Sequence, residues 1–336
     1  MKNKVVLFYP PYGGPPLGAP LCLLALASPL LEAGLRVSVI DGAITPDYEA
    51  AVARELPDAL AFGVSLLTGP AIREAIRVAQ QVRRIRPDVP ILFGGWHPSL
   101  VPEQTLRPDF VDAVVRGQGE LTLLEIAQRL SAGQGLGGIR GISHKPNGQI
   151  VHEPERPVEN VNNLPSPAYH LADFEAYARI RGQREMGYAT SVGCPYACNY
   201  CTDQVFYKRR FNAYRAERVV REVTELVTRY RLDEVAFLDS NFPVDVKRAV
   251  DIARRILDSK VKFRWTVQAS TDLLCRMSDD DVAMLAASGL SHMGFGTESA
   301  SPEVLTLMNK KHQRVNDMFE AARKTERAGM RVTFNV

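Results

Sequence analysis

The stretch 191-SVGCPYACNYCTD-203 places Cys194, Cys198 and Cys201 within eight residues, in a chain that holds only two further cysteines, Cys22 and Cys275. The segment carries Gly193, Pro195, Asn199 and Asp203 instead of an apolar period, so plain core packing explains it poorly. A disulfide would leave one thiol over, and five cysteines in a large chain do not make a disulfide framework. A structural zinc site needs four closed ligands, and no His or fourth Cys lies nearby in sequence. A 4Fe–4S cluster is the remaining reading, since clusters are held by closely spaced thiolates. Three thiolates leave one iron open to a substrate or cofactor.

Working outward, the loop follows the apolar run GYATSVG and opens an alternating series. AERVVREVTELVTRY, VKRAVDIARRIL, DDDVAMLAASG and VNDMFEAARKTERAG read as helices. EVAFLDS, FRWTVQAS, HMGFGTES and RVTFNV read as strands. Such a series builds a parallel sheet or barrel, where chemistry collects at the C-terminal ends of the strands. Polar residues recur there: Asp239 and Asn241 after one strand, Gln268 and Ser270 after the next, Glu298 after the following one.

The first half alternates in the same way. VVLFYP, RVSVIDG, ALAFGVSLLTG, PILFGG and DAVVRG are continuous apolar runs separated by helical segments, among them AIREAIRVAQQVRRIRP with Ile72, Ile76, Ala79 and Val82 on one face. Five such strands predict a flavodoxin-like doubly wound sheet. Its strand ends are rich in glycine, which lets a backbone approach a large ligand closely. No GxGxxG opens a helix after the first strand and no GxxxxGK[ST] occurs, so neither a dinucleotide fold nor a P-loop is indicated. GIRGISHKPNGQIVHE then reads as a hairpin turning at PNG, and the Pro- and Asn-rich stretch after it as a linker. The expected organisation is 1–140 for the first domain, 141–182 for hairpin and linker, and 183–336 for a partial barrel.

CxxxCxxC with Tyr200 before the last cysteine resembles the radical S-adenosylmethionine (SAM) superfamily. The order YPPYG, SLLT, FGGWHPSLVPE, VRGQGE and then the cysteines is similar to its subgroup with an N-terminal cobalamin-binding domain, the class B methyltransferase-like enzymes. The resemblance implies an α/β chain: a cobalamin-binding-type sheet followed by a (β/α) radical SAM barrel. It implies three cofactors. A 4Fe–4S cluster on Cys194, Cys198 and Cys201 would reductively cleave SAM to a 5′-deoxyadenosyl radical. Tyr200, Asp239, Gln268, Ser270 and Glu298 would contact SAM; the family's usual Gly-Gly-Glu signature is absent, with LDSN in its place. Cobalamin would meet Ser65, Thr68, Gly94, Gly95, His97, Gly117 and Gly119, and would lack a histidine ligand from YPPYGGPPLG. The implied reaction is methyl transfer to carbon or phosphorus of a small-molecule substrate. An oxidative cyclase or ring-rearranging enzyme of the same architecture is the alternative, and a non-catalytic binding module is the alternative of another class. An electron donor such as flavodoxin or ferredoxin is the implied partner.

The bulk numbers fit an ordinary globular chain of about two domains: 336 residues, 46% hydrophobic, 24% charged, net charge +3. That charge is too small to argue for nucleic acid. No apolar run reaches the ~20 residues of a membrane span, and MKNKVVLFYP reads as a first strand, not a leader, so the expected location is cytoplasmic. Cys22 is expected in the core and Cys275 as an inert small residue. The family usually builds six βα units, whereas RVTFNV is the fifth strand and ends at Val336. The expectation is therefore that the natural product continues and supplies the sixth unit and much of the substrate pocket.

Overall fold

A computed structural model describes residues 3–14, 16 and 18–336. The chain divides into two compact units, Met1–Glu159 with Asn163–Arg181, and Gly182–Val336 with Asn160–Asn162.

The first unit runs β1 (Lys4–Tyr9), α1 (Leu21–Glu32), β2 (Arg36–Asp41), α2 (Tyr48–Glu55), β3 (Ala59–Ser65), α3 (Ala71–Ile85), β4 (Ile91–Gly94), α4 (Trp96–Leu100), α5 (Pro102–Leu106), β5 (Ala113–Val115), α6 (Glu120–Ser131), β6 (Ile142–His144), β7 (Val151–His152) and α7 (Phe174–Arg181). The sheet order is β2-β1-β3-β4-β5-β6-β7, parallel through β5. The first five strands follow the flavodoxin-like order, with its switch point between β1 and β3. Side chains alternate along a strand, and both faces are apolar. Val6 and Phe8 join one core with Phe62, Val78 and Val82. Val5 and Leu7 join another with Leu23, Ala27 and Ile126. Helices therefore cover both sides, as a parallel sheet requires. In α3 the buried stripe is Ala71, Ala75, Val78, Ala79 and Val82. Ile72 and Ile76 lie at its half-buried edge, one step round from the expected face. β6 and β7 form an antiparallel hairpin around Pro146–Gly148 and extend the sheet. The helix α7 lies inside the stretch expected to be linker.

The second unit runs β8 (Glu185–Tyr188), β9 (Ser191–Val192), α8 (Asp203–Phe206), β10 (Asn212–Ala213), α9 (Ala216–Tyr230), β11 (Glu234–Phe237), α10 (Val246–Ser259), β12 (Arg264–Ala269), α11 (Thr271–Arg276), α12 (Asp279–Ala287), β13 (Leu290–Gly296), α13 (Pro302–Leu307), α14 (Val315–Arg327) and β14 (Arg331–Asn335). Its parallel sheet has the order β14-β13-β12-β11-β8. One face carries Phe237, Trp265, Val267, Met293 and Phe295, all buried. The alternate positions are small or polar: Gly187, Ala236, Thr266, Gln268, His292 and Gly294. The apolar stripes of α9 (Val219, Val223, Leu226) and α10 (Ala249, Ile252, Ala253, Ile256) are buried. Ser278 and Asp281 close a capping box that starts α12.

The expected strand GYATSVG is two strands. β8 ends at Tyr188, and Ser191–Val192 turns away to pair antiparallel with Asn212–Ala213. The cause is a side chain 49 residues on: Asp239 captures the Thr190 N–H and both neighbouring hydroxyls.

Candidate functional site

At the C-terminal end of β8 the chain enters the cysteine loop under tight restraint. Asp239, just after β11 and buried, accepts from Thr190 N at 2.7 Å, Thr190 Oγ1 at 2.5 Å and Ser191 Oγ at 2.6 Å. Burial pushes the Asp239 carboxyl up, and the Ser191 and Thr190 hydroxyls and the Arg248 guanidinium pull it only partly back; Arg248 also donates to the Thr190 carbonyl at 2.6 Å. Gly193 follows with φ +76°. A Cβ there would stand 2.1 Å from the Arg210 carbonyl oxygen, so only glycine lets the loop's return pass this close.

The thiols of Cys194 and Cys201 are half-buried and that of Cys198 is buried. Desolvation pushes Cys194 up to about 11, while the Tyr196 amide draws it the other way. Cys201 is likewise raised by desolvation and drawn down by the Asp203 amide. Amides aimed at sulfur favour the thiolate, the form that iron binds, and metal binding would release the protons. No three His, Cys, Asp or Glu side chains among the described residues converge on a single-ion site; a cluster instead ties each thiolate to a different iron.

Of the other strand-end residues, Glu298 meets the cysteine loop directly. Its Oε1 accepts from Tyr200 OH at 2.9 Å and from Lys310 Nζ at 3.1 Å, and Lys310 also donates to Tyr200 OH at 3.1 Å. Glu298 holds φ +62°, unusual for a non-glycine residue. Asn241 and Ser270 bond each other twice, at 3.1 Å each, joining the ends of β11 and β12. Gln268 is exposed on the polar face of β12, 3.4 Å from Asn335 Nδ2. Glu298 and Tyr200 are thus brought together, Asp239 and Ser270 face loop or strand-end partners, and Gln268 stands on the open face.

Sequence reasoning missed the segment after α13. Asn199 N donates to the Met308 carbonyl at 2.9 Å and Asn199 Nδ2 to that of Leu307 at 3.0 Å. Asn309 Nδ2 donates to the Ala197 carbonyl at 2.7 Å. The Tyr196 ring stacks on His312 at 3.6 Å, and its hydroxyl donates to Asp272 Oδ2 at 2.8 Å. The only signal was a histidine in the polar run 309-NKKH-312, which reads as a solvated turn.

In the first unit the glycine-rich strand ends converge. His97 Nδ1 lies 3.0 Å from Thr68 Oγ1, and His97 N donates to the Leu66 carbonyl. Gly95 has φ +91°, and a Cβ there would stand 2.9 Å from both Leu66 N and O. Ser99 Oγ donates to the Gly95 carbonyl at 2.7 Å and accepts from Gly117 N at 3.0 Å, tying the end of β4 to that of β5. Gly119 stands at the start of α6. Ser65, Thr68, Gly94, Gly95 and His97 are therefore one cluster, with Gly117 joined to it through Ser99. Cys22 belongs here too, which corrects its expected core position. Cys22 is exposed, its thiol lies 3.4 Å from Ser65 Oγ, and desolvation still raises it. It sits in the first turn of α1, at the C-terminal edge of the sheet, where an apolar helix leaves the core. Cys275 is half-buried against the Asp317 carbonyl.

The B12 binding domain model matches residues 11–127 and the radical SAM superfamily model residues 188–336. An uncharacterized methyltransferase of Pyrococcus horikoshii is 34% identical over 88% of this chain and 63% of its own length. An anaerobic magnesium-protoporphyrin IX monomethyl ester cyclase of Rubrivivax gelatinosus is 25% identical over 91% of this chain and 57% of its own. The chain therefore spans less than two thirds of these relatives. The radical SAM methyltransferase TsrM of Kitasatospora setae, solved with cobalamin and a [4Fe–4S] cluster, shares the fold over 99% of this chain and 69% of its own, with a TM-score of 0.85 at 21% identity.

Proposed function

From the premise that this chain joins a B12-binding domain to a radical SAM domain, we propose that it is the cofactor-bearing part of a cobalamin-dependent radical SAM methyltransferase. The observation that carries the reading is the cysteine loop: three thiols at the end of the first strand of a parallel sheet, with the Tyr196 and Asp203 amides turned to sulfur. Cys194, Cys198 and Cys201 would hold a 4Fe–4S cluster, which supplies the electron for reductive cleavage of SAM, while cobalamin supplies a methyl group.

The remaining chemistry is the chain's own. Glu298 offers a carboxylate whose Oε2 takes no hydrogen bond from the described residues, suited to a cationic amino group. Lys310, buried beside it, pairs with that carboxylate at 3.1 Å. Ser270 and Gln268 extend the same row of strand ends toward a ribose. Asp239 acts through Thr190 and Ser191, fixing where the loop begins. Ser65, Thr68, Gly94, Gly95, His97, Gly117 and Gly119 would line the corrin or its nucleotide tail. The ten residues 10–19 hold no histidine to reach cobalt. The likeness to the cyclase over 91% of the chain supports a second reading, an oxidative cyclisation run on the same cofactors.

The test is anaerobic reconstitution with iron, sulfide and hydroxocobalamin, then SAM labelled in its methyl group, a strong reductant and candidate substrates. About four irons per chain, 5′-deoxyadenosine, and label in product support methyl transfer. 5′-Deoxyadenosine without label in product favours the cyclase reading. Full 5′-deoxyadenosine formation by the Cys194→Ala, Cys198→Ala, Cys201→Ala triple variant would sink both.

A further inference from the structure

Five residues stand between the outer two cysteines without being ligands: Pro195, Tyr196, Ala197, Asn199 and Tyr200. Each is held by a bond or stack that uses no thiol. Four of them are held by one short segment, Leu307–His312. Its Leu307 and Met308 carbonyls take the two Asn199 donors, the Asn309 amide takes the Ala197 carbonyl, Lys310 takes the Tyr200 hydroxyl, and the His312 ring takes the Tyr196 ring at an interplanar angle of 16°. The fifth, Pro195, is met by Arg209 Nε at 3.3 Å. A loop of this composition has no apolar face with which to order itself, and fixing its backbone costs conformational entropy.

The segment is itself anchored to the sheet. Gln313, buried, donates to the Thr297 carbonyl at 2.8 Å and accepts from Thr271 Oγ1 at 3.1 Å. Lys310 N closes the end of α13 on the Leu305 carbonyl at 2.8 Å. Asn309 takes φ +54°, the left-handed conformation that asparagine tolerates, and this turns its amide onto the cysteine loop. On its far side the Tyr196 hydroxyl is held by Asp272, which Arg276 pairs at 2.9 Å.

We propose that Leu307–His312 is a clamp that holds the cysteine loop in its ligand-presenting shape before any iron arrives, with Asn309 and His312 as its positioning residues. The purpose of the clamp rests on the cluster reading above; its existence does not.

The test uses the full chain, reduced and free of metal, and follows hydrogen exchange at the Asn199 and Cys201 amides. These donate at 2.9 Å to the Met308 carbonyl and at 3.0 Å to that of Cys198. Asn309→Gly removes the side-chain donor while keeping a residue that accepts positive φ. His312→Ala removes the stack, and His312→Phe restores a ring. Each removal should speed exchange at the two amides about 5- to 10-fold, the equivalent of one lost hydrogen bond. Exchange in α9 and α10 should stay unchanged, and His312→Phe should return it to the parent rate. After reconstitution the same variants should bind less iron per chain and broaden the electron paramagnetic resonance of the reduced cluster. Unchanged exchange in both removals, or His312→Phe behaving as His312→Ala, overturns the clamp. Should Asn309→Gly also speed exchange in α9 and α10, the His312 pair decides alone. A parent chain that takes up no iron, with exchange responding as described, removes the cluster reading and leaves the clamp standing.

Discussion

Asp239→Ala should destabilise the second unit strongly, with no ligand present. The carboxylate accepts three hydrogen bonds from Thr190 and Ser191, which are themselves buried. Hydrogen bonds to a charged group contribute roughly 1.5–3 kcal/mol each, against about 0.5–1.5 for neutral pairs. Removing the acceptor leaves the Thr190 N–H unsatisfied and takes the counter-charge from Arg248, whose Nη1 has no partner among the described residues. The two hydroxyls can turn to other acceptors, so the expected loss is about 4 kcal/mol. Asp239→Asn keeps the shape and one acceptor and should lose about 2 kcal/mol. The assay is anaerobic urea unfolding followed by Trp265 fluorescence in a Trp96→Phe background. A chain of two units need not unfold in one step, and the buried Trp265 reports the second. Thr190→Val should cost stability in the parent and much less in Asp239→Ala, because the two share one interaction. An Asp239→Ala midpoint at the parent value, with SAM affinity alone reduced, would refute the reasoning and return the carboxylate to the ligand.

Three further outcomes follow from other residues. Gly95→Ala should cost the first unit about 2–3 kcal/mol, since φ is +91° and the new Cβ meets Leu66 backbone at 2.9 Å; Gly34→Ala, at φ +78° with open space around it, should cost about 1 kcal/mol, both read by thermal unfolding on Trp96. His97 and His292 are held below the usual imidazole range by burial, His292 also by Arg331. The unfolded chain then takes up protons first, so stability is full above about pH 6.5 and falls as pH drops through that value; His97→Gln with His292→Gln should flatten this acid limb in urea titrations between pH 5 and 8. The thiol of the exposed Cys22 should react with a maleimide in the cofactor-free protein and be shielded by hydroxocobalamin; equal labelling with and without it, by mass spectrometry, removes Cys22 from the cobalamin site.

What the sequence revealed was what repeats locally. Runs such as VVLFYP and ALAFGVS are apolar on both faces, and they became β1 and β3 with a core on each side. The three cysteines stood out because their spacing is a short-range property. What stayed hidden was set by partners distant in sequence. GYATSVG reads as one strand until Asp239 takes hold of Thr190. Cys22 lies in a run apolar all round, so no periodicity marks the turn that leaves the core. Lys310 looks like one of two solvated lysines in NKKH, yet it is buried because Glu298 and Tyr200, 12 and 110 residues away, supply its partners.

The strand-end polar residues show why counting them in a sequence does not assign their work. All follow apolar strands, yet acceptor capacity separates them. Both Asp239 oxygens are engaged by the loop, and Asn241 and Ser270 engage each other. A buried carboxylate so engaged fixes geometry, because displacing any donor would leave it unsatisfied. Glu298 is different. One oxygen accepts both Tyr200 and Lys310 while the other takes no bond from the described residues, and the backbone holds φ +62° to keep it there. Strain retained at a residue with open acceptor capacity, hydrogen-bonded to the loop that carries the thiols, is where an incoming cation gains most. The same bond makes Glu298 part of the loop's support, so Glu298→Gln should weaken ligand affinity more than loop order. Glu298→Ala should disturb both, measured by SAM binding and by exchange at the Asn199 amide. Equal effects of the two variants on exchange would mean that charge, not the hydrogen bond to Tyr200, holds this side of the loop.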